Sequence, residues 1–148
     1  MTATLQEILL APETRPEVVA DCVLLIEHEV ADMSGVSGTA VKIAYKTVNA
    51  FLPGHVRRMS EALLPLLAEQ LEPYWAGFNT SGGAEFGDYL AKHGEEVSQA
   101  LLAVTDARAA ASGRPTVIKA YGTVRGSAGR HVQAALPRVG GLVMKYAT

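Results

Sequence analysis

Four histidines, His28, His55, His93 and His131, are the side chains best suited to proton transfer or metal ligation near neutral pH. Their spacing serves neither purpose. The chain has no H-E-x-x-H, C-x-x-C or E-x-x-H pair, and a zinc site needs three or four converging ligands. Ser60, Ser98, Ser112 and Ser127 lack the G-x-S-x-G surroundings of a strained nucleophile. Gly122, Gly126 and Gly129, and the run Ser81-Gly82-Gly83, match neither a Walker loop nor a dinucleotide fingerprint. Glu95 and Glu96 read as a solvated first helical turn, held by the helix dipole. The sequence therefore assigns no catalytic residue, no metal ligand and no cofactor, and the chain leans away from being an enzyme.

Ligand binding has better candidates, because some chemistry-bearing residues recur. Residues 44–56 read AYKTVNAFLPGHV and residues 120–132 read AYGTVRGSAGRHV. One gapless register sets Ala44, Tyr45, Thr47, Val48, His55 and Val56 against Ala120, Tyr121, Thr123, Val124, His131 and Val132. If the two halves meet about a twofold axis, Tyr45 with Tyr121 and His55 with His131 flank a pocket for a small apolar ligand, the tyrosines at its polar end. The plainer reading makes each tyrosine a packing anchor whose hydroxyl needs one partner. Each histidine then packs or bonds locally at the start of its final helix.

Charge supplies the other candidates. Residues 1–106 carry six Lys/Arg against fifteen Asp/Glu, and residues 107–148 carry seven Lys/Arg and no acid. A second acid-free window runs from Met33 to Ser60. Lys42, Lys46, Arg57 and Arg58 in the first half correspond roughly to Lys119, Arg125 and Arg130 in the second. One basic surface from windows 41–58 and 114–130 would suit an anion: nucleic acid, an acidic lipid headgroup or a phosphorylated metabolite. Otherwise the basic helices neutralise acidic neighbours or face water. The overall charge of −2 argues against a dedicated nucleic-acid binder.

Positioning these residues falls to helices. The apolar content is 49%, much of it Ala, Leu and Val, with one Trp, five Tyr and three Phe; Ala and Leu lose little entropy in helices, and no segment alternates for long as a strand would. The flanks extend the repeat: LQEIL (5–9) parallels FGDYL (86–90), CVLLIEHEVADMSG parallels ALLAVTDARAAASG, and EALLPLL (61–67) parallels QAALPRV (133–139). The expectation is one all-α domain over 1–148, built as a tandem duplication of units 4–78 and 85–148 joined by a linker at 79–84. Each unit reads as a short helix, a long acidic helix, a short basic helix and a final apolar helix. Together the units make a bundle of six to eight helices about a pseudo-twofold axis.

Within the first unit the long helix spans about 16–33, with Val19, Val23, Ile26, Val30 and Met33 on one face. The next presents Val41, Ala44, Tyr45, Val48 and Phe51 as a core stripe, and Pro53-Gly54 ends it. Pro65 and Pro137 each remove a backbone donor, so a kink or break is expected at both. After Pro65, the segment 64–78, including Leu64, Leu66, Leu67, Leu71, Tyr74, Trp75 and Phe78, is apolar on more than one face. Such a segment is either buried or covers a partner, another copy included. The leading functional expectation is accordingly a non-enzymatic interaction module.

The strings VSGTAVKIAY, FGDYLAKHGEEV and LLAVTDARA resemble a family of small actinobacterial proteins of unknown function along most of the chain. That resemblance implies no activity. Cys22 lies in the apolar run Val18–Ile26 and reads as a small buried hydrophobe. A lone cysteine fits a reducing compartment, and MTATLQEILLAP lacks the basic start and long apolar run of a signal peptide. No apolar stretch is long enough to span a bilayer, so the expected location is the cytoplasm.

Overall fold

Helix α1 (Leu5–Leu9) opens on a capping box: the Thr4 hydroxyl accepts from the Glu7 amide, and the Glu7 carboxylate accepts from the Thr4 amide. The Leu5 amide, which has no partner inside the helix, donates to the Glu72 carboxylate at 2.8 Å and ties the first element to the middle of the chain. In this computed structural model, which describes residues 3–147, six further helices follow. They are α2 (Arg15–Asp32), α3 (Gly35–Phe51), α4 (His55–Ser81), α5 (Phe86–Lys92), α6 (Gly94–Ala111) and α7 (Pro115–Ala147). No strand occurs among the described residues. The fold is all-α.

The interior gathers at one end. Leu5 and Leu9, Val18 and Val19, the α4 residues Leu64, Ala68, Leu71, Trp75 and Phe78, then Phe86, Leu90, Val97, Leu136 and Val143 form one buried cluster. Aromatic rings fix its centre, with Trp75 edge-on to Phe86 at 5.0 Å and Phe78 at 5.3 Å from the same ring. The Trp75 indole donates to the Ala3 carbonyl at 2.9 Å. The close approach of α5 to α7 requires glycine: a Cβ built on Gly140 would sit 2.1 Å from the Gly87 amide nitrogen. Acids of α2 and bases of α7 then clasp these helices, Arg138 against Glu29 and Asp32, and Lys145 with the Tyr146 hydroxyl against Asp21.

Several expectations change. Neither Pro65 nor Pro137 ends a helix; α4 and α7 run through both, and α4 also through Pro73. Part of the reason is visible at Pro65. Its missing amide would have bonded the Glu61 carbonyl, which instead accepts from the Arg15 guanidinium at 3.3 Å. Residues 79–81 of the expected linker form the last turn of α4, where Asn79, Thr80 and Ser81 side chains donate back to carbonyls of the preceding turn. The second half has no break matching Pro53-Gly54, where Gly54 adopts a left-handed φ of 77°. Its basic and apolar helices are the single 33-residue α7.

The apolar segment 64–78 is taken up by the core rather than left for a partner, although Leu66 stays 48% exposed. The stripe on α3 is the larger surprise. Only Gly38 of this helix is buried, and Phe51 is 72% exposed. Helix α3 packs chiefly on α7, whose own buried residues begin at Leu136. The stripe therefore rests mainly on one helix, with lesser contacts from α2 and α4, so half burial is all it achieves.

Candidate functional site

The two acid-free windows come to lie side by side. Helix α3 and the first half of α7 enclose a groove of about 510 Å³, lined by Ala40, Ile43, Ala44, Thr47 and Phe51 on one wall. Thr116, Lys119, Ala120 and Thr123 make the other wall. The register that matches Ala44 to Ala120 also matches Ala40 to Thr116, Ile43 to Lys119 and Thr47 to Thr123. Small residues recur at these places because they let two helices approach closely. Around the groove, Ile43 is 61% exposed, Ile118 48% and Val36 92%. This is an apolar surface on an arm that the core does not use.

The expected anion-binding residues divide here. Lys42, Lys46 and Lys119 are exposed and have no ion-pair partner among the described residues. Arg125 is committed: its Nε lies 2.7 Å from Asp106 Oδ1 and its Nη2 3.1 Å from Oδ2. Arg57 pairs with Glu61 one turn on at 3.4 Å, and Arg58 donates to the Pro53 carbonyl at 3.3 Å. Arg130 donates to the Ser37 hydroxyl at 3.4 Å and belongs to a different cavity.

The tyrosines do not form the polar end of the groove. Tyr121 turns toward α6, where its hydroxyl donates to Asp106 and lies 2.7 Å from Thr105 Oγ1. Arg125 and Tyr121 together hold the Asp106 carboxyl below the ordinary carboxylate range, while burial and that carboxylate push the Tyr121 hydroxyl up. Tyr45 is half-buried on α3.

The histidines also have separate surroundings. His55 titrates below its ordinary value because burial and then the charges of Arg114, Arg58 and Arg108 disfavour the imidazolium. His131 lines a cavity of about 550 Å³ with Glu29, Asp32, Met33, Ser34, Ser37, Arg130, Ala134, Pro137 and Arg138. Its Nε2 is buried with no hydrogen-bond partner. No group of three or more potential metal ligands occurs among the described residues. Burial and the nearby Asp21 push the Cys22 thiol up to about 11, so at neutral pH it is a poor nucleophile.

Sequence reasoning passed over Ile43, Ser34, Ser37, Glu29, Asp32 and Arg138. A signal for the groove existed: Ala40, Ile43, Ala44 and Thr47 stand at i, i+3, i+4 and i+7, as do Thr116, Lys119, Ala120 and Thr123. The cavity carried no such signal, because its lining comes from chain segments about a hundred residues apart.

No helix among the described residues is long and apolar enough to cross a membrane. Neither the curated proteins nor the solved structures contain a significant match to this chain. One family model does match, from residue 5 to residue 147, and the chain accordingly belongs to the family of unknown function DUF6918.

Proposed function

We propose that the protein is a helical interaction module whose α3/α7 groove receives an acidic amphipathic helix from a partner protein. The carrying observation is the groove itself: an apolar channel of about 510 Å³ between two helices that bear no acid, with the unpaired Lys119 in its wall. An apolar ridge would fill the channel while a flanking carboxylate meets Lys119, the usual division between affinity and orientation in helix-in-groove recognition. A second copy of the chain is a poorer occupant, because the mated faces would set lysine against lysine. A membrane is poorer too, since the apolar side chains line a concavity. The recurring lining positions support descent of both walls from one duplicated unit.

The test uses a synthetic amphipathic helix with leucine on one face and glutamate beside it. Isothermal titration at low salt should show saturable binding that weakens as salt rises, with methyl shifts at Ala40, Ile43 and Ala120. Ile43→Glu places a carboxylate in the channel and should weaken binding tenfold or more while the melting temperature holds. Absence of binding, with the groove methyls unmoved, overturns the proposal. So does preferential binding of phosphatidylserine vesicles or duplex DNA, or a stable dimer in sedimentation.

A further inference from the structure

A separate polar cavity lies farther along the same face of α7, with Ser37 one turn of α3 before the groove residue Ala40. Its floor is the short turn Met33–Ser34, where α2 ends and α3 begins. Its wall is one face of α7, on which Arg130, Ala134 and Arg138 follow at intervals of four residues with His131 and Pro137 beside them. The cavity measures about 550 Å³.

The polar groups that line it are unequally satisfied. The two carboxylates share one guanidinium: Arg138 lies 3.4 Å from Glu29 Oε1 and 2.5 Å from Asp32 Oδ2. The donors are left with spare capacity. Arg130 makes one long contact, 3.4 Å to the Ser37 hydroxyl, and pairs with no carboxylate among the described residues. The Ser34 side chain stands at the N-cap of α3 without bonding that helix. His131 Nε2 is buried and unbonded. A buried polar atom left so is destabilising, and an occupant that supplies the missing partner would recover that loss. With Glu29 and Asp32 both engaged by Arg138, the groups left over are the Arg130 guanidinium, an imidazole nitrogen and two hydroxyls; the charges of the lining as a whole sum to zero, and Arg130 is its one charge without an opposite partner among the described residues.

We infer that this cavity binds the oxyanion of a small metabolite, a carboxylate or a phosphoryl group. Arg130 supplies the charge-assisted contact, His131 Nε2 and the Ser34 and Ser37 hydroxyls supply hydrogen bonds, and Arg138 offsets one of the two neighbouring carboxylate charges. His131 donates from Nε2 in the tautomer or charge state that carries a proton there.

Inorganic phosphate and succinate serve as probes for the two chemistries, added separately to the intact chain at constant ionic strength with chloride as the control. The His131 ring signals and the Ser37 and Gly38 amides report occupancy by NMR. The expected result is a saturable shift with at least one probe, absent with chloride. The probe that saturates identifies the anion as phosphoryl or carboxylate. Arg130→Gln, an exposed substitution that leaves the core intact, should weaken that binding about tenfold. Shifts that grow linearly, that chloride reproduces, or that survive Arg130→Gln unchanged would overturn the assignment and leave water as the partner of His131. The Ile43→Glu variant, altered only in the groove, should bind the probe with unchanged affinity.

Discussion

Two adjacent glycines in α7 do opposite work. Gly140 is buried with its Cα pressed on the backbone of Gly87, where a Cβ would fall 2.1 Å from nitrogen and 2.2 Å from Cα. Backbone cannot step aside as a flexible side chain can, so Gly140→Ala must drive α5 from α7. The expected loss is about 1–3 kcal/mol, the usual cost of overpacking a close contact. Gly141 faces open space with nothing within 4 Å of a built Cβ. There alanine only improves helix propensity, and Gly141→Ala should stabilise by up to about 1 kcal/mol. Urea melts of the two variants should move in opposite directions; equal shifts would contradict the packing. The sequence offered no means of telling these neighbours apart, since both read simply as GG. Tyr121 is the converse. Its need for one hydroxyl partner was legible, and Asp106 with Thr105 meets it.

Among the elements, α7 is the one the sequence concealed. Gly122, Gly126 and Gly129 are residues suited to turns or close helix contacts, yet helix runs through all three. A continuous stripe was present beneath them: Val117, Tyr121, Val124, Ala128, His131 and Ala135 alternate spacings of four and three. Long-range packing of that stripe outweighs the glycines' poor propensity, which no local window could weigh. The three glycines still have a cost, about 1 kcal/mol each relative to alanine, and none has a neighbour within 4 Å of a built Cβ to compensate. The first half of α7 should therefore open far more often than the second, which carries Leu136, Gly140 and Val143 into the core. Hydrogen exchange should find amides 118–130 at least tenfold faster than amides 136–146. Uniform protection along the helix would refute this. Helix existence and the Pro53-Gly54 break were readable from local chemistry. The passage through Pro65 was not, because its relief comes from Arg15.

At the scale of the whole molecule, the uneven charge along the sequence becomes a set of ties between helices. Asp21 is held below the ordinary carboxylate range by its bonds to Lys145 and Tyr146, and Asp106 by Arg125 and Tyr121. A carboxyl lowered in the folded state stabilises the fold above its unfolded value, and that contribution is lost as pH falls through the folded one. His55 is also lowered, so its protonation below about pH 6.5 favours the unfolded chain. Glu29, raised by burial, opposes these terms on the acid side. The melting temperature should decline gently below about pH 6.5 and steeply below about pH 4. Asp21→Asn should flatten the steep limb, and an unchanged limb would show that the Lys145–Tyr146 tie is not its source. The sequence showed that acids precede bases along the chain. It did not show which would meet, since that depends on α7 lying against both α2 and α6.

The same 33-residue helix, about 50 Å of unbroken rod, forms one wall of the groove, one wall of the polar cavity and part of the hydrophobic interior. A guest at the loosely held end pins turns that would otherwise fray, and by thermodynamic reciprocity whatever steadies the far end also improves reception of the guest. On the readings proposed above, groove and cavity would communicate through this shared beam, without any subunit rotation or hinge.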